Sequence, residues 1–202
     1  MNLNFCRSLA GCWILSAMCC LLLAVCGGRS GTGAPTQTSQ PSTIPVPSTS
    51  MTLTSPAFTN GQTIPVRHTG DGENLSPELN WTDVPENTQS FALICSDPDA
   101  PGGTFIHWVI YNIPGTARTL PEGLPQNPVV LENAEQVRND FGHFGYDGPK
   151  PPPGKPHRYF YRLYALDRRI TSANGAVNAE LLLNWMAGHV LATAELVGLY
   201  QR

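Results

Sequence analysis

Charge is scarce in this chain, and cysteine is scarce everywhere except at its start. Only 13% of the 202 residues are charged. Arg7 and Arg29 are the only ionic side chains before Met51, so the rest of the chain holds 10 basic against 15 acidic residues, a net of −5. With no basic run or stripe, the sequence lacks the electrostatic footprint of a nucleic-acid binder. Five of the 6 cysteines lie at or before Cys26, which leaves no disulfide framework for the remainder of the chain. Cys95 remains alone inside the apolar run Phe91-Ala92-Leu93-Ile94-Cys95 and reads as a small buried hydrophobe with an unreactive thiol. Heptads and internal repeats are missing too, which excludes coiled coils and repeat arrays.

The apolar run from Leu9 to Val25 is shorter than the roughly 20 residues that span a bilayer. Behind Arg7 it suits the core of a signal peptide, expected over residues 1–25. Leu23-Ala24-Val25-Cys26-Gly27 resembles a bacterial lipoprotein cleavage box with Cys26 as the lipidated residue. An ordinary signal peptide cleaved nearby is the alternative. Residues 26–50 are mostly Gly, Ser, Thr, Pro, Gln and Ala, too poor in apolar surface to fold, and are expected to form a disordered tether behind the anchor. The expected location is therefore outside the cytoplasm, on a membrane. Residues 51–202 form one domain, long enough for a core.

Within that domain, short apolar runs alternate with Pro, Gly, Asn and Asp clusters. Ser90–Cys95, Thr104–Asn112 and Arg158–Leu166 read as strands rich in β-branched and aromatic residues. Many short strands punctuated by turns predict a mainly β fold, a Greek-key β-sandwich. The exception is Ala179–Thr193, where Leu181, Leu182, Trp185 and Met186 fit one helical face behind an Asn178 cap. Glu195–Tyr200 then returns to strand character.

Three segments hold the unusual polar residues. Asp97-Pro98-Asp99-Ala100-Pro101 locks two carboxylates between prolines of fixed φ, although Asp-Pro pairs also start ordinary surface turns. On the strand around Thr104-Phe105-Ile106-His107-Trp108, alternation puts Phe105, His107 and Val109 on one side. A single strand histidine is commonly structural; its place just after the aspartates favours function. The third segment runs from the proline loop Gly148–Pro156 into His157-Arg158-Tyr159. There His157, Tyr159 and Tyr161 share one face while Arg158, Phe160 and Arg162 share the other.

In order and spacing, Asp97-Pro98-Asp99-Ala100-Pro101, His107-Trp108, Gly148-Pro149, Pro152-Pro153-Gly154 and His157-Arg158-Tyr159 resemble the phosphatidylethanolamine-binding (Raf-kinase-inhibitor-like) family. Asp71–Pro77, Arg138–Gly142, Leu163–Asp167 and the ending from Gly188 to Gly198 resemble its bacterial branch. The resemblance spans about Leu53 to Arg202. It implies an anion pocket at one end of the sandwich, with Asp97, Asp99, His107, His157 and Tyr159 as polar lining and Pro101, Phe105, Gly148 and Pro149 as walls and rim. Two imidazoles and a phenol would supply donors to the anion, and the aspartates would orient the histidines. Arg158 should point away and serve structural pairing. Bacterial relatives often carry cysteine where Gly70 and Lys150 stand here, as though a cross-link had been lost. Lys150 adds a cation near the rim.

The sequence thus predicts a binding module for phosphorylated or other anionic small ligands, phospholipid headgroups included. Family analogy extends this to modulation of a kinase or protease partner. No enzyme, cofactor or metal site is expected, because Pro98 breaks any familiar metal-ligand spacing and no serine or cysteine nucleophile motif is visible. A hydrolase built on the Asp and His cluster, and a structural envelope lipoprotein, are the competing readings.

Overall fold

A computed structural model of the chain describes residues 51–171 and 178–202. The expected signal peptide, the lipidation site Cys26 and the tether all lie outside the described residues. Among the described residues, ten strands and one helix run in order: β1 Thr52–Thr54, β2 Gln62–Thr63, β3 Leu79–Thr82, β4 Ser90–Asp97, β5 Phe105–Pro114, β6 Thr119–Leu120, β7 Val129–Val130, β8 Ala134–Gln136, β9 His157–Leu166, α1 Ala179–Met186 and β10 Val190–Tyr200. A single helical turn at Val66–His68 links β2 to β3.

The strands form a small sheet, β1-β3-β6, and a large one, β2-β10-β9-β4-β5-β8-β7. Strand β9 returns from a long excursion to lie beside β4, giving the spatial order β9-β4-β5-β8, a Greek-key arrangement. Trp81 of the small sheet meets Phe91 of the large one edge to face at 5.2 Å, within a core that also buries Leu53, Leu79, Leu93 and Tyr161. The other face of the large sheet buries Ala92, Ile94, Val109 and Tyr111 under Leu182 and Met186 of α1. Every residue of β4 is therefore buried, which is why its sequence is a continuous apolar run rather than an alternating one. The mainly β sandwich with a C-terminal helix is as the sequence predicts.

Two local details differ. The helix ends at Met186 rather than continuing to Thr193, and β10 begins at Val190. Gly188, at φ 79°, breaks the helix, and the apolar residues beyond it satisfy a strand that pairs with β9 along its length. Val109 leaves the face of Phe105 and His107. Cys95 pairs with Trp108 while Ser96 pairs with Ile106, so His107 is the extra residue of a β-bulge and alternation restarts after it.

Cys95 is free and buried, and desolvation pushes its thiol pKa far up despite a hydrogen bond with Tyr161. Burial and a raised pKa, as the apolar run suggests, leave the thiol little access and little thiolate with which to react.

Candidate functional site

The ends of three neighbouring strands build the site: Asp97 closes β4, Phe105 opens β5 and His157 opens β9. The ladder registers Asp97 with Phe105 and Ser96 with Phe160, so all three ends meet on one side of the large sheet. Asp97 is only 3% exposed. Its Oδ1 accepts the Asp99 N–H at 2.8 Å, closing the Asp-Pro-Asp turn on itself. Its Oδ2 accepts from His157 Nδ1 at 2.7 Å; a carboxylate only accepts, so Nδ1 carries the proton.

The bulge aims His107 into the same space. His107 Nδ1 donates to the Asp147 carbonyl at 2.7 Å, and the Asp147 N–H returns a bond to the His107 carbonyl at 3.0 Å. Burial pushes the His107 pKa below its ordinary value, against the hydrogen bond to the Asp147 carbonyl and the charges of Asp97, Asp147 and Asp140. His107 is thus a neutral imidazole whose single proton sits on Nδ1.

Behind it, the Asp147 carboxylate accepts from Asn74 Nδ2 at 2.9 Å, Asn139 Nδ2 at 2.7 Å and His143 Nδ1 at 3.0 Å. Burial alone would raise the Asp147 pKa, but these hydrogen bonds, with Asn139 foremost, hold it below the ordinary carboxylate value.

Neutral His107 makes the fold sensitive to acid. Below about pH 6.5 the unfolded chain takes up a proton that native His107 refuses. The contribution is therefore complete above that pH and is lost as pH falls toward the depressed native value. Urea unfolding at about pH 7.5, 6.5 and 5.5 should show wild type losing stability relative to His107→Gln, which keeps an N–H for the Asp147 carbonyl. A pH-independent difference would show that His107 titrates normally.

Asp97, His107, His157 and Tyr159 form the polar lining of a pocket of about 170 Å³, walled by Phe105 and Phe141. Pro101, Lys150, Pro151 and Pro152 complete the lining. Phe141 is 44% exposed and packs against Phe105 at 4.8 Å and His107 at 5.5 Å. Tyr159 meets His107 edge-on at 5.1 Å. Its hydroxyl is buried, has no partner at good hydrogen-bond geometry, and interacts with the Asp97 carboxylate. Burial, and then the charge of Asp97, raise the Tyr159 pKa, so it stays a phenol with a proton to give.

Of the residues the sequence singles out, the structure brings Asp97, Pro101, Phe105, His107, His157 and Tyr159 together. It does not bring Asp99, Gly148 or Pro149 to the wall. Asp99 turns outward and clasps Arg158, with Nε at 2.8 Å and Nη2 at 2.7 Å, and the guanidinium holds its carboxyl down to about 2. Arg158 thus faces away from the pocket and serves pairing. Gly148 and Pro149 are buried beneath the rim, where the Gly148 N–H donates to Asn74 Oδ1 and the Pro149 carbonyl accepts from Gly70 N. Position 70 adjoins position 150, since a Cβ on Gly70 would lie 3.0 Å from that of Lys150. The two positions that the resemblance links by a lost cross-link are neighbours in space.

Sequence reasoning passes over Phe141 as a wall residue, although it lies in Arg138–Gly142, a segment that carries the family resemblance. An exposed aromatic beside a glycine is the available signal. Pro151 and Pro152 are legible only as parts of a stiff loop. Among the described residues, no three His, Cys, Asp or Glu side chains converge as metal ligands.

The class is that of a Greek-key β-sandwich with a small pocket of histidines, aspartate and aromatics at one sheet end. The family model described as phosphatidylethanolamine-binding protein matches residues 54–201. A UPF0098 protein of Methanothermobacter thermautotrophicus is 49% identical over 152 residues, covering 75% of this chain and 99% of that protein. The UPF0098 protein YbhB of Escherichia coli is 41% identical, covering 74% and 99%. Among solved structures, Chlamydia trachomatis CT736, a phosphatidylethanolamine-binding protein homologue, is 40% identical with a TM-score of 0.68 and coverage of 77% and 99%. E. coli YbcL, described as a member of the mammalian family, is 35% identical with a TM-score of 0.70 and coverage of 75% and 98%. The chain belongs to the phosphatidylethanolamine-binding protein family.

Proposed function

We propose that the pocket binds the anionic end, foremost a phosphate, of a small ligand. The buried Tyr159 hydroxyl carries this reading. Beyond its interaction with Asp97 it has no well-formed hydrogen bond in the protein, and a buried hydroxyl so poorly paired costs free energy that a ligand oxygen could offset. Lys150 is among the lining residues, and the Asp97 carboxylate orients His157 by accepting from its Nδ1 at 2.7 Å. The volume of about 170 Å³ suits a headgroup-sized ligand. The aromatic wall of Phe105 and Phe141 would cover its apolar part.

A hydrolytic reading is weaker. The lining contains no serine or cysteine, and Tyr159 is held in its protonated form.

Calorimetric titration with O-phosphoethanolamine tests the binding reading. Tyr159→Phe, which removes one oxygen and nothing else, should weaken binding roughly five- to fiftyfold. An unchanged affinity, or no binding to the wild type at millimolar ligand, would remove the basis for an anion site.

A further inference from the structure

The pairing of β4 with β9 ends at Ser96 opposite Phe160. Continued in the same register it would set Pro98 opposite Arg158, and Pro98 has no N–H with which to prolong a ladder. Two carboxylates take over from the backbone. On the inner face, Asp97 Oδ2 accepts from His157 Nδ1 at 2.7 Å. On the outer face, Asp99 Oδ2 accepts the Arg158 N–H at 3.0 Å and its Nε at 2.8 Å, while Oδ1 accepts Nη2 at 2.7 Å. The Asp99 N–H then returns to Asp97 Oδ1 at 2.8 Å. The Asp-Pro-Asp turn thus straddles the start of β9, with one carboxylate on each face, and the His157–Arg158 peptide closes the ring.

The outer half of this ring is a poor source of stability. The Arg158 and Asp99 side chains are 53% and 28% exposed, and exposed ion pairs contribute little. Orientation is another matter. The χ2 torsion of an aspartate is broad, so rotamer preference alone does not fix the plane of the Asp97 carboxylate. Hydrogen bonds on both of its oxygens do, and one of the two comes from Asp99. Further along the turn, Gly102 and Gly103 have nothing within 4 Å of their Cβ positions, so no packing there holds it.

We propose that Arg158 is a positioning residue for the pocket, an inference that rests on the anion site argued above. By clasping Asp99 it keeps the Asp99 N–H on Asp97 and, through Asp97, sets the direction of the His157 ring. Neither Arg158 nor Asp99 lines the cavity.

The same strand supplies the control. Arg162 pairs with Glu195 at 2.7 Å, is 43% exposed, and stacks on Phe160 at 4.6 Å where Arg158 does so at 5.5 Å. Arg158→Ala and Arg162→Ala therefore remove the same charge, an exposed ion pair and a contact to the same ring. Only the first is linked to Asp97. In calorimetric titrations with O-phosphoethanolamine, Arg158→Ala should bind roughly two- to tenfold more weakly than Arg162→Ala, what one hydrogen bond is worth. Their urea midpoints should match. Asp99→Ala should behave as Arg158→Ala does, and the double variant no worse than either, because both break one link.

A second readout needs no ligand. In histidine-labelled protein at low temperature, the His157 Nδ1 proton, assigned by its loss in His157→Gln, should exchange with water faster in Arg158→Ala than in Arg162→Ala. Equal exchange in the two variants would overturn the proposal and leave the anion site standing. Faster exchange with equal affinities would overturn the role of Arg158 in binding. If the wild type does not bind O-phosphoethanolamine, the anion reading fails, and the exchange comparison still decides whether the clasp holds Asp97 and His157.

Discussion

Asn139→Ala is expected to destabilise the domain by roughly 2–4 kcal/mol and to lower anion affinity with it. Asn139 is buried and uses both ends of its amide. Nδ2 donates to Asp147 Oδ2 at 2.7 Å and to the Gly145 carbonyl at 3.0 Å, with a weaker contact to the His107 carbonyl at 3.4 Å. Oδ1 accepts the N–H groups of Phe141 and His143 at 3.0 and 3.2 Å. Truncation takes the foremost of the hydrogen bonds that keep the largely buried Asp147 ionised, and it frees the loop that presents Phe141 to the pocket. For a domain of this length the loss corresponds to a fall in melting temperature of about 5–15 °C. Asn139→Asp separates geometry from charge. It keeps the acceptor but sets a second carboxylate against Asp147, so it should be at least as damaging near neutrality. Its deficit relative to wild type should shrink in mild acid, where the pair can share a proton. Thermal unfolding of the three proteins at two pH values measures this. A variant as stable as wild type would mean that the Asp147 network is incidental.

The legibility of the fold varies with the range of the forces involved. Strands β4, β5 and β9 are readable because burial on one or both faces writes itself directly into apolar runs and alternation. The face assignments on β9 hold, with Tyr159 and Tyr161 inward and Arg158 outward. On β5 they hold up to His107 and fail at Val109, because the bulge comes from register with β4 and no local pattern marks it. The helix is readable at its start, where Asn178 Oδ1 accepts the Leu181 N–H at 2.8 Å. Its end is not, because a strand at Val190–Tyr200 can carry the same apolar residues that would prolong a helix.

The site divides in the same way. Asp97, His107, His157 and Tyr159 stand in segments whose order and spacing are informative. The family resemblance implies a lining role for Asp99, yet a guanidinium from β9 at an exposed position draws it outward. Charge pairing across 59 residues is invisible in a local motif. The resemblance implies a wall or rim position for Gly148 and Pro149, whereas their place is fixed by distant backbone, the Tyr146 hydroxyl donating to the His68 carbonyl across 78 residues.

That placement yields the second large effect, at Gly148. A Cβ there would lie 2.3 Å from the His68 carbonyl oxygen, 2.7 Å from Thr69 Cα and 3.0 Å from the His68 carbonyl carbon. All three are backbone atoms, so no side chain can swing aside to make room. The segment on the other side is equally tied. The Tyr146 hydroxyl donates to the His68 carbonyl at 2.6 Å, Gly70 N to the Pro149 carbonyl at 2.8 Å and Gly148 N to Asn74 Oδ1 at 2.7 Å. Relief of the clash must therefore push the 66–70 turn off the core or push Asp147 and the proline loop outward. Outward movement would carry the carbonyl that fixes the His107 proton, together with Lys150 and Pro151 at the rim. Gly148→Ala is thus expected to cost about 3 kcal/mol or more, at the upper end of overpacking changes, and to weaken anion binding in whatever fraction still folds. Gly102→Ala is the control: it lies near the pocket in the turn after Asp99, has nothing within 4 Å of its Cβ position and should change stability by less than about 0.5 kcal/mol. Urea unfolding of both variants beside the wild type reads the difference directly. Equal midpoints for the two alanine variants would show that the contact between the rim and the 66–70 turn is looser than the structure describes, and that Gly148 has no part in holding the pocket open.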